Sequence, residues 1–327
     1  MKISVAMATY NGEKFILKQL ESIYHQQLSV DEVIIFDDCS NDNTVFICEE
    51  FIKTYNLENW KVFVNEHNVG YCLNFYKAIK KCSGDIIFLA DQDDEWYPDK
   101  TEKMVSCMMK NNDILVLSSR YDLIDETSNI ISLNIPYLGE KFDGSIDKYS
   151  IEDFIGCSCV RGFSICFRKE LVKYIKDIDL NCLLSHDWLI CILGTVFRTT
   201  AVLNEKLCGY RYHKNNVSLS YLNNKNLHSN KEKRLKGLYQ SVEGHNYIFD
   251  IIEEGSAKRE ISLFIKFEKL RIKFLESKNI FYWCKLFFKL NHYKRYYKGN
   301  GLRVFLGDFL YCYNINFKKI KSNEKKT

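Results

Sequence analysis

The first hundred residues alternate between two hydrophobic periods, and this alternation constrains the fold more than any other feature of the chain. Short apolar runs at 3–8, 33–36, 62–64 and 85–90 read as strands. Between them, apolar residues recur at helical spacing: Phe15, Leu17, Leu20 and Ile23 first, then the stretches 45–55 and 74–81. Strands alternating with helices predict an α/β, mainly parallel sheet with helices on both faces. In such sheets ligands bind outside the carboxyl ends of the strands. The residues that follow each run are therefore the ones to read for chemistry.

Those residues are Thr9–Gly12, Asp37–Asp42, Asn65–Gly70 and Asp91–Glu95. All four groups are polar and two are strongly acidic. The second ends in a helix-capping signature at Asp42 or Asn43. A Gly-x-Gly-x-x-Gly turn and a P-loop are both absent, so dinucleotide binding and ordinary NTPase chemistry lose their main support.

Asp91-Gln92-Asp93-Asp94-Glu95-Trp96 is the most informative stretch. Four carboxylates in five residues repel one another. A divalent cation resolves that repulsion, and hard oxygen ligands suit Mg²⁺ or Mn²⁺ held together with substrate phosphates. A solvated acidic loop before Pro98 is the plainer alternative. Asn68, Gly70 and Asn74 stand at a helix start, where backbone N–H groups favour phosphate.

Beyond residue 110 the pattern is less regular. The sequence predicts a strand at 114–118, a loop-like stretch at 120–150 and a strand ending at 166–168 before a helix from Lys169. A buried helix is expected at 188–197, and a helical region from about 228. The domains so read are 1–225, with halves at about 1–110 and 111–225, and a basic helical region at 226–327. Thirteen scattered cysteines with no Cys-x-x-Cys pair argue for reduced core thiols, Cys157 and Cys159 included, over a disulfide framework or zinc ribbon.

The order and spacing of the motifs resemble the family 2 glycosyltransferases of GT-A fold. The matches are Ser4-Val5-Ala6-Met7-Ala8-Thr9-Tyr10-Asn11-Gly12, Asp37-Asp38-Cys39-Ser40-Asn41-Asp42-Asn43-Thr44, Asn68-Val69-Gly70-x3-Asn74-Phe75 and Ala90-Asp91-Gln92-Asp93-Asp94-x-Trp96. The resemblance covers roughly residues 1–220. The Asp-Gln-Asp-Asp form is similar to a rhamnosyltransferase-like branch acting on bacterial surface polysaccharides.

The resemblance implies roles. Thr9, Tyr10 and Asn11 would line a nucleotide pocket and Asp38 would accept from a pyrimidine base. Asp91 would contact ribose or metal, and Asp93 would bind the metal on the donor diphosphate. Asp187, in Ser185-His186-Asp187-Trp188, matches the catalytic base of inverting members, though alone it reads as a helix cap. Gly209-Tyr210-Arg211-Tyr212-His213-x-Asn215-Asn216-Val217 resembles a further block of the branch. In it Arg211 would neutralise the diphosphate and His213 would ligate metal or phosphate. Asp94, Trp96, Gly162, Ser164, His186 and Trp188 would lie toward the acceptor. The chain departs at Phe163, at Leu189 and at Cys39, where many members have Gly. Cysteine is tolerated there only if the turn does not need positive φ.

Charge is split along the chain. Residues 258–327 hold 18 basic and 5 acidic residues, a net +13, and the remainder carries a net −9. The tail also holds 16 of the 47 aromatics. Lys266, Lys269 and Lys273 beside Phe267, Leu270 and Phe274, followed by Tyr282, Trp283 and Phe287 among Lys285 and Lys289, suit an anionic membrane face; an ordinary helical subdomain is the alternative. No signal peptide or membrane span is visible. The expectation is a cytoplasmic protein, peripheral on the inner membrane face, that transfers a sugar from a nucleotide-sugar to a saccharide or lipid-linked saccharide with Mg²⁺ or Mn²⁺. The donor suggested by the branch is dTDP-L-rhamnose. Rival readings are a nucleotidyltransferase, which lacks a convincing phosphate loop, and a nucleic-acid binder, which the acidic crevice opposes.

Overall fold

A computed structural model describes residues 1–132, 141–156, 160–175, 185–214, 216, 231–297 and 300–313. Cys157, Cys159, Asn215, Val217 and the basic stretch 314–327 lie outside the described residues. The described residues form two compact units. One takes Met1–Ser150 and the described parts of 158–180 and 185–223; the other takes the described parts of 151–157 and 224–327. The short piece 151–156, expected with the first unit, thus goes with the helices.

The first unit is built on a nine-stranded sheet. Strands β1 (Ile3–Thr9), β2 (Glu32–Asp37), β3 (Trp60–Val64) and β4 (Ile86–Asp91) run parallel in the order β3-β2-β1-β4. Every residue of β1 and β2 is buried, as expected of parallel strands covered on both faces. Helices α1 (Ile16–Tyr24), α2 (Thr44–Thr54) and α3 (Tyr71–Lys81) connect them. Chain order runs outward from β1 to β3, then returns across to β4. The reversal leaves a crevice at the carboxyl ends of β1 and β4, where ligands of open α/β sheets sit.

Beyond β4 come β5 (Glu95–Trp96), α4 (Lys100–Lys110), β6 (Ile114–Ile124), β7 (Ile146–Tyr149), β8 (Ile165–Arg168), α6 (His186–Phe197) and β9 (Thr199–Arg211), with the one-turn α5 (Glu152–Ile155) belonging to the other unit. Here the sheet is mixed: β8 lies antiparallel between β4 and β6, and β6 pairs parallel with β9. Several expectations are corrected. The strand at 114 runs on to Ile124, and the stretch taken as loop contains β7. The segment after Lys169 is a short 3-10 helix, and α6 opens at His186 rather than 188. The helix expected at 45–55 is Thr44–Thr54, and neither Asp42 nor Asn43 caps it as N-cap side chain; Asp42 instead accepts from the Thr44 N–H.

The second unit is helical: α7 (Lys231–Ile251), α8 (Ser256–Ser277), α9 (Ile280–Phe287), α10 (Leu290–Tyr296) and α11 (Gly301–Cys312). Phe264, Phe267, Phe274, Tyr293 and Tyr296 fill its interior. On α8 the aromatics face inward and Lys266, Lys269 and Lys273 face out, so this helix is an ordinary amphipathic one. At its centre Asp308 is fully buried. It accepts from Arg271 at 2.7 and 3.0 Å, from Arg234 and from the Tyr293 hydroxyl, while Arg271 also donates to Glu268. No helix of the described residues is long and apolar enough to cross a membrane.

Candidate active site

The crevice is assembled from the turns after β1, β2 and β4. The turn after β1 is held from two sides. Gln92 accepts from the Tyr10 N–H at 2.7 Å and donates to the Tyr10 carbonyl at 2.9 Å. Asn11, at φ 49°, takes its N–H to Ser40 and accepts from the Asn41 N–H. Gly12 is needed because a Cβ there would stand 2.2 Å from Gln92 Oε1. Thr9 is buried and donates to Asp37 at 2.8 Å, while Tyr10 is exposed at the mouth. The sequence reading used Gln92 within the Asp-Gln-Asp-Asp form but gave it no role of its own.

Asp38 is buried and takes three N–H donors: Asn65, Val69 and Gly70, at 2.8–2.9 Å. A carboxylate accepts at about four sites, so roughly one remains. The N–H groups of Val69 and Gly70 are therefore spent on Asp38, not held open for phosphate as the sequence implied. Gly70, at φ 87°, turns the chain into α3. Asn68 is exposed and accepts from the Gly70 N–H. Asn74 is another correction: it is buried and donates to the carbonyls of Phe36 and Thr9, pinning strand ends where a nucleotide contact was expected. Cys39 adopts φ 67°, so the turn does need the conformation that glycine would give it.

At the end of β4 the carboxylates converge. Burial first, then the charges of Asp93 and Asp187, push Asp91 up to about 8. Asp187 is thus near enough for its charge to be felt at Asp91. Asp94 is fully buried: Oδ1 accepts from the Arg211 N–H, Oδ2 has no partner among the described residues, and burial with Asp93 and Asp91 holds it well above the usual carboxylate range. Asp93 Oδ2 meets His213 Nε2 at 2.7 Å.

Lys100, also missed, is fully buried. It donates to the Phe163 carbonyl at 2.7 Å, lies over the Trp96 ring at 4.1 Å, and its charge and that of Arg161 offset part of the acidity felt at Asp91. Its position after Pro98-Asp99 looked like a helix start, which it also is. Arg211, expected at the diphosphate, spends its hydrogen bonds within the protein. Its guanidinium is buried, paired with Glu95 and donating to the carbonyls of Asp93 and Asp125.

Asp187 sits in the first turn of α6, after the N-cap Ser185, and is half-buried. Both the Ser185 hydroxyl and the Trp188 N–H reach Oδ1. Gly162 lies against it: a Cβ there would be 2.9 Å from His186 Nε2 and 3.7 Å from Asp187 Cβ. His186 is buried, stacked on Phe75 at 4.0 Å, and burial lowers it to about 4. Ser164 turns back to the Arg161 carbonyl. Trp96 and Trp188 are core residues and present no surface to an acceptor.

Uncompensated acidity at Asp91 and the orphaned Asp94 oxygen are what a divalent cation would relieve. Among the described residues no three His, Cys, Asp or Glu side chains form a closed metal cage. Asp91 and Asp93 would hold the cation, with His213 orienting Asp93.

A carboxylate-lined crevice at the switch point of this sheet is the architecture of the GT-A fold. Solved structures support that fold. The crystal structure of S. aureus TarS 1–349 in complex with UDP aligns over 95% of this chain and 81% of its own with TM-score 0.57 and 18% identity. The mannosyltransferase PcManGT from Pyrobaculum calidifontis, in complex with GDP-Man and Mn²⁺, aligns over 96% of this chain and 88% of its own with TM-score 0.53 and 14% identity.

The Glycosyl transferase family 2 profile matches residues 4–172, and the chain belongs to that family. A dTDP-rhamnosyl transferase RfbG of Shigella flexneri is 32% identical over 226 residues, 64% of this chain and 72% of the relative. A UDP-Glc:alpha-D-GlcNAc-diphosphoundecaprenol beta-1,3-glucosyltransferase WfgD of Escherichia coli is 33% identical over 126 residues, 38% of this chain and 48% of the relative.

Proposed function

We propose that this enzyme is a metal-dependent inverting transferase that moves L-rhamnose from dTDP-rhamnose to a hydroxyl of a saccharide or lipid-linked saccharide, in the synthesis of capsule or O-antigen at the inner face of the membrane. The observation that carries the reaction type is Asp187. Its half-buried carboxylate is near enough for its charge to be felt at Asp91, and its two hydrogen bonds both fall on Oδ1, which leaves Oδ2 to act as base. Similarity to the rhamnosyl transferase supports the donor, and similarity to a transferase that uses a diphosphoundecaprenol acceptor supports the lipid carrier.

Asp187 takes the proton of the acceptor hydroxyl as its oxygen bonds to the anomeric carbon. The bond from that carbon to the diphosphate breaks in the same step, on the opposite side, and the nucleoside diphosphate leaves. Asp91 and Asp93 would hold a Mg²⁺ or Mn²⁺ ion, which would supply positive charge to the departing diphosphate. Tyr10, exposed at the mouth, and the site left on Asp38 receive the base. Lys100 and Arg161, through their charge at Asp91, keep the carboxylate cluster tolerable between substrates. Arg211 holds the Asp93–Glu95 turn in shape rather than touching the leaving group.

The test is donor turnover by the full chain with Mn²⁺ against a panel of nucleotide-sugars. Release of dTDP from dTDP-rhamnose above all other donors is expected. Turnover of a UDP-sugar instead would remove the rhamnose reading and keep the transferase. Release of pyrophosphate would point to a nucleotidyltransferase and sink both.

A further inference from the structure

The helical unit hides most of its aromatics but leaves one set outside. On α9, Ile280, Phe281, Cys284 and Phe287 are all exposed, and so is Phe288 at its C-cap, at 86%. Their spacing of three, four and seven puts them on one stripe of the helix. On α11, Leu302 and Leu306, one turn apart, are exposed as well. The two stripes are neighbours, because Trp283 stacks on Phe305 at 5.0 Å and Phe287 lies 6.4 Å from the same ring. Scattered exposed apolar residues are normal on a soluble protein, but a contiguous stripe marks a surface that is covered.

The charges around this face identify its cover. Among the described residues from Lys278 to Tyr313, the charged side chains are Lys278, Lys285, Lys289, Lys294, Arg295, Arg303 and one acid, Asp308. Asp308 is fully buried. Every exposed charge on this stretch is therefore positive. Arg295 is paired with Glu152 and Glu260; the other five have no ion-pair partner among the described residues. Lys285 lies 4.3 Å from the Phe281 ring and, with Lys289, flanks the stripe.

We infer that this face docks on an anionic phospholipid surface, with Phe281, Phe287 and Phe288 entering the interface and the lysines meeting headgroup phosphates. A second copy of this chain fits poorly, since two such faces would oppose like charges. Nucleic acid fits poorly too, since the centre of the face is aliphatic and aromatic with cations only at its edge. The use of such a face rests on the reading that the acceptor is carried on a lipid; its existence does not.

The test is flotation of the full chain with vesicles of phosphatidylcholine, alone or mixed with phosphatidylglycerol. Binding only to the mixed vesicles, weakened by salt, is expected. Phe281→Ser with Phe288→Ser should lower partitioning about tenfold or more, and Lys285→Glu with Lys289→Glu should do the same. Nucleotide-sugar turnover in detergent with a soluble acceptor should not change in either pair. No binding by the unaltered chain, or equal binding by both pairs, overturns the inference and leaves the transferase reading intact. Self-association lost in the serine pair, without vesicle binding, overturns it in favour of a dimer face. Vesicle binding without any sugar transfer would leave the face standing and remove the transferase reading.

Discussion

Cys39 is a side chain in a backbone conformation that disfavours it. A left-handed non-glycine residue costs about 1–2 kcal/mol, so Cys39→Gly is expected to raise stability by about 1 kcal/mol, read from the denaturant midpoint. Asp187→Asn keeps the size and the Trp188 contact but cannot take a proton. It should cut kcat by about 10²–10⁴-fold with nucleotide binding unchanged; single-turnover kinetics and nucleotide titration separate the two, and near-normal kcat would end its role as base. At this scale the sequence was read well for which residues gather and poorly for which way they point. Asp91, Asp93, Asp94, Asp187 and His213 could be chosen from motif order. That Asn74, Arg211 and much of Asp38 are spent on their own loops could not, because a side chain that ties a loop and one that binds a ligand are the same residue types.

Between elements, Gln92 is the tie from β4 to the turn after β1. Gln92→Ala removes two hydrogen bonds, about 1 kcal/mol each. It should raise KM for the donor several-fold while kcat falls little, since the turn lines the nucleotide end of the crevice. Unchanged KM would show that the turn is held without it. The first four strands were legible because each is an unbroken apolar run that stops at a polar cluster. Of the later strands, β8 and the first half of β6 were legible too, whereas the rest of β6 and all of β5, β7 and β9 were not. β6 carries Ser118, Ser119 and Arg120 mid-strand and β9 carries Asn204, Glu205 and Lys206, and the β6–β9 pairing shifts register near these residues. Polar interruptions of that kind look like loops until a neighbouring strand accounts for them.

For the whole molecule, the raised Asp91 makes stability depend on pH and on metal together. Its folded value, about 8, lies above the unfolded 3.8. The unfolded chain therefore releases this proton first, and the contribution, full below pH 3.8, is lost as pH rises through about 8. In a chelator, stability should decline over that window. Mn²⁺ should raise Tm more at pH 8 than at pH 5, as calorimetry would record; an equal rise at both would place the ion away from Asp91.

The cluster around Asp308 has a different consequence. Sliding α11 by one residue would bring Gly307 or Phe309 opposite Arg271 and Arg234, leaving the buried Arg271 with Glu268 as its one carboxylate and the half-buried Arg234 with none. The helical unit thus has one seating and no near neighbours. Its greasy positions are free to drift over generations, whereas Arg234, Glu268, Arg271, Tyr293 and Asp308 must change as a group or stay as they are.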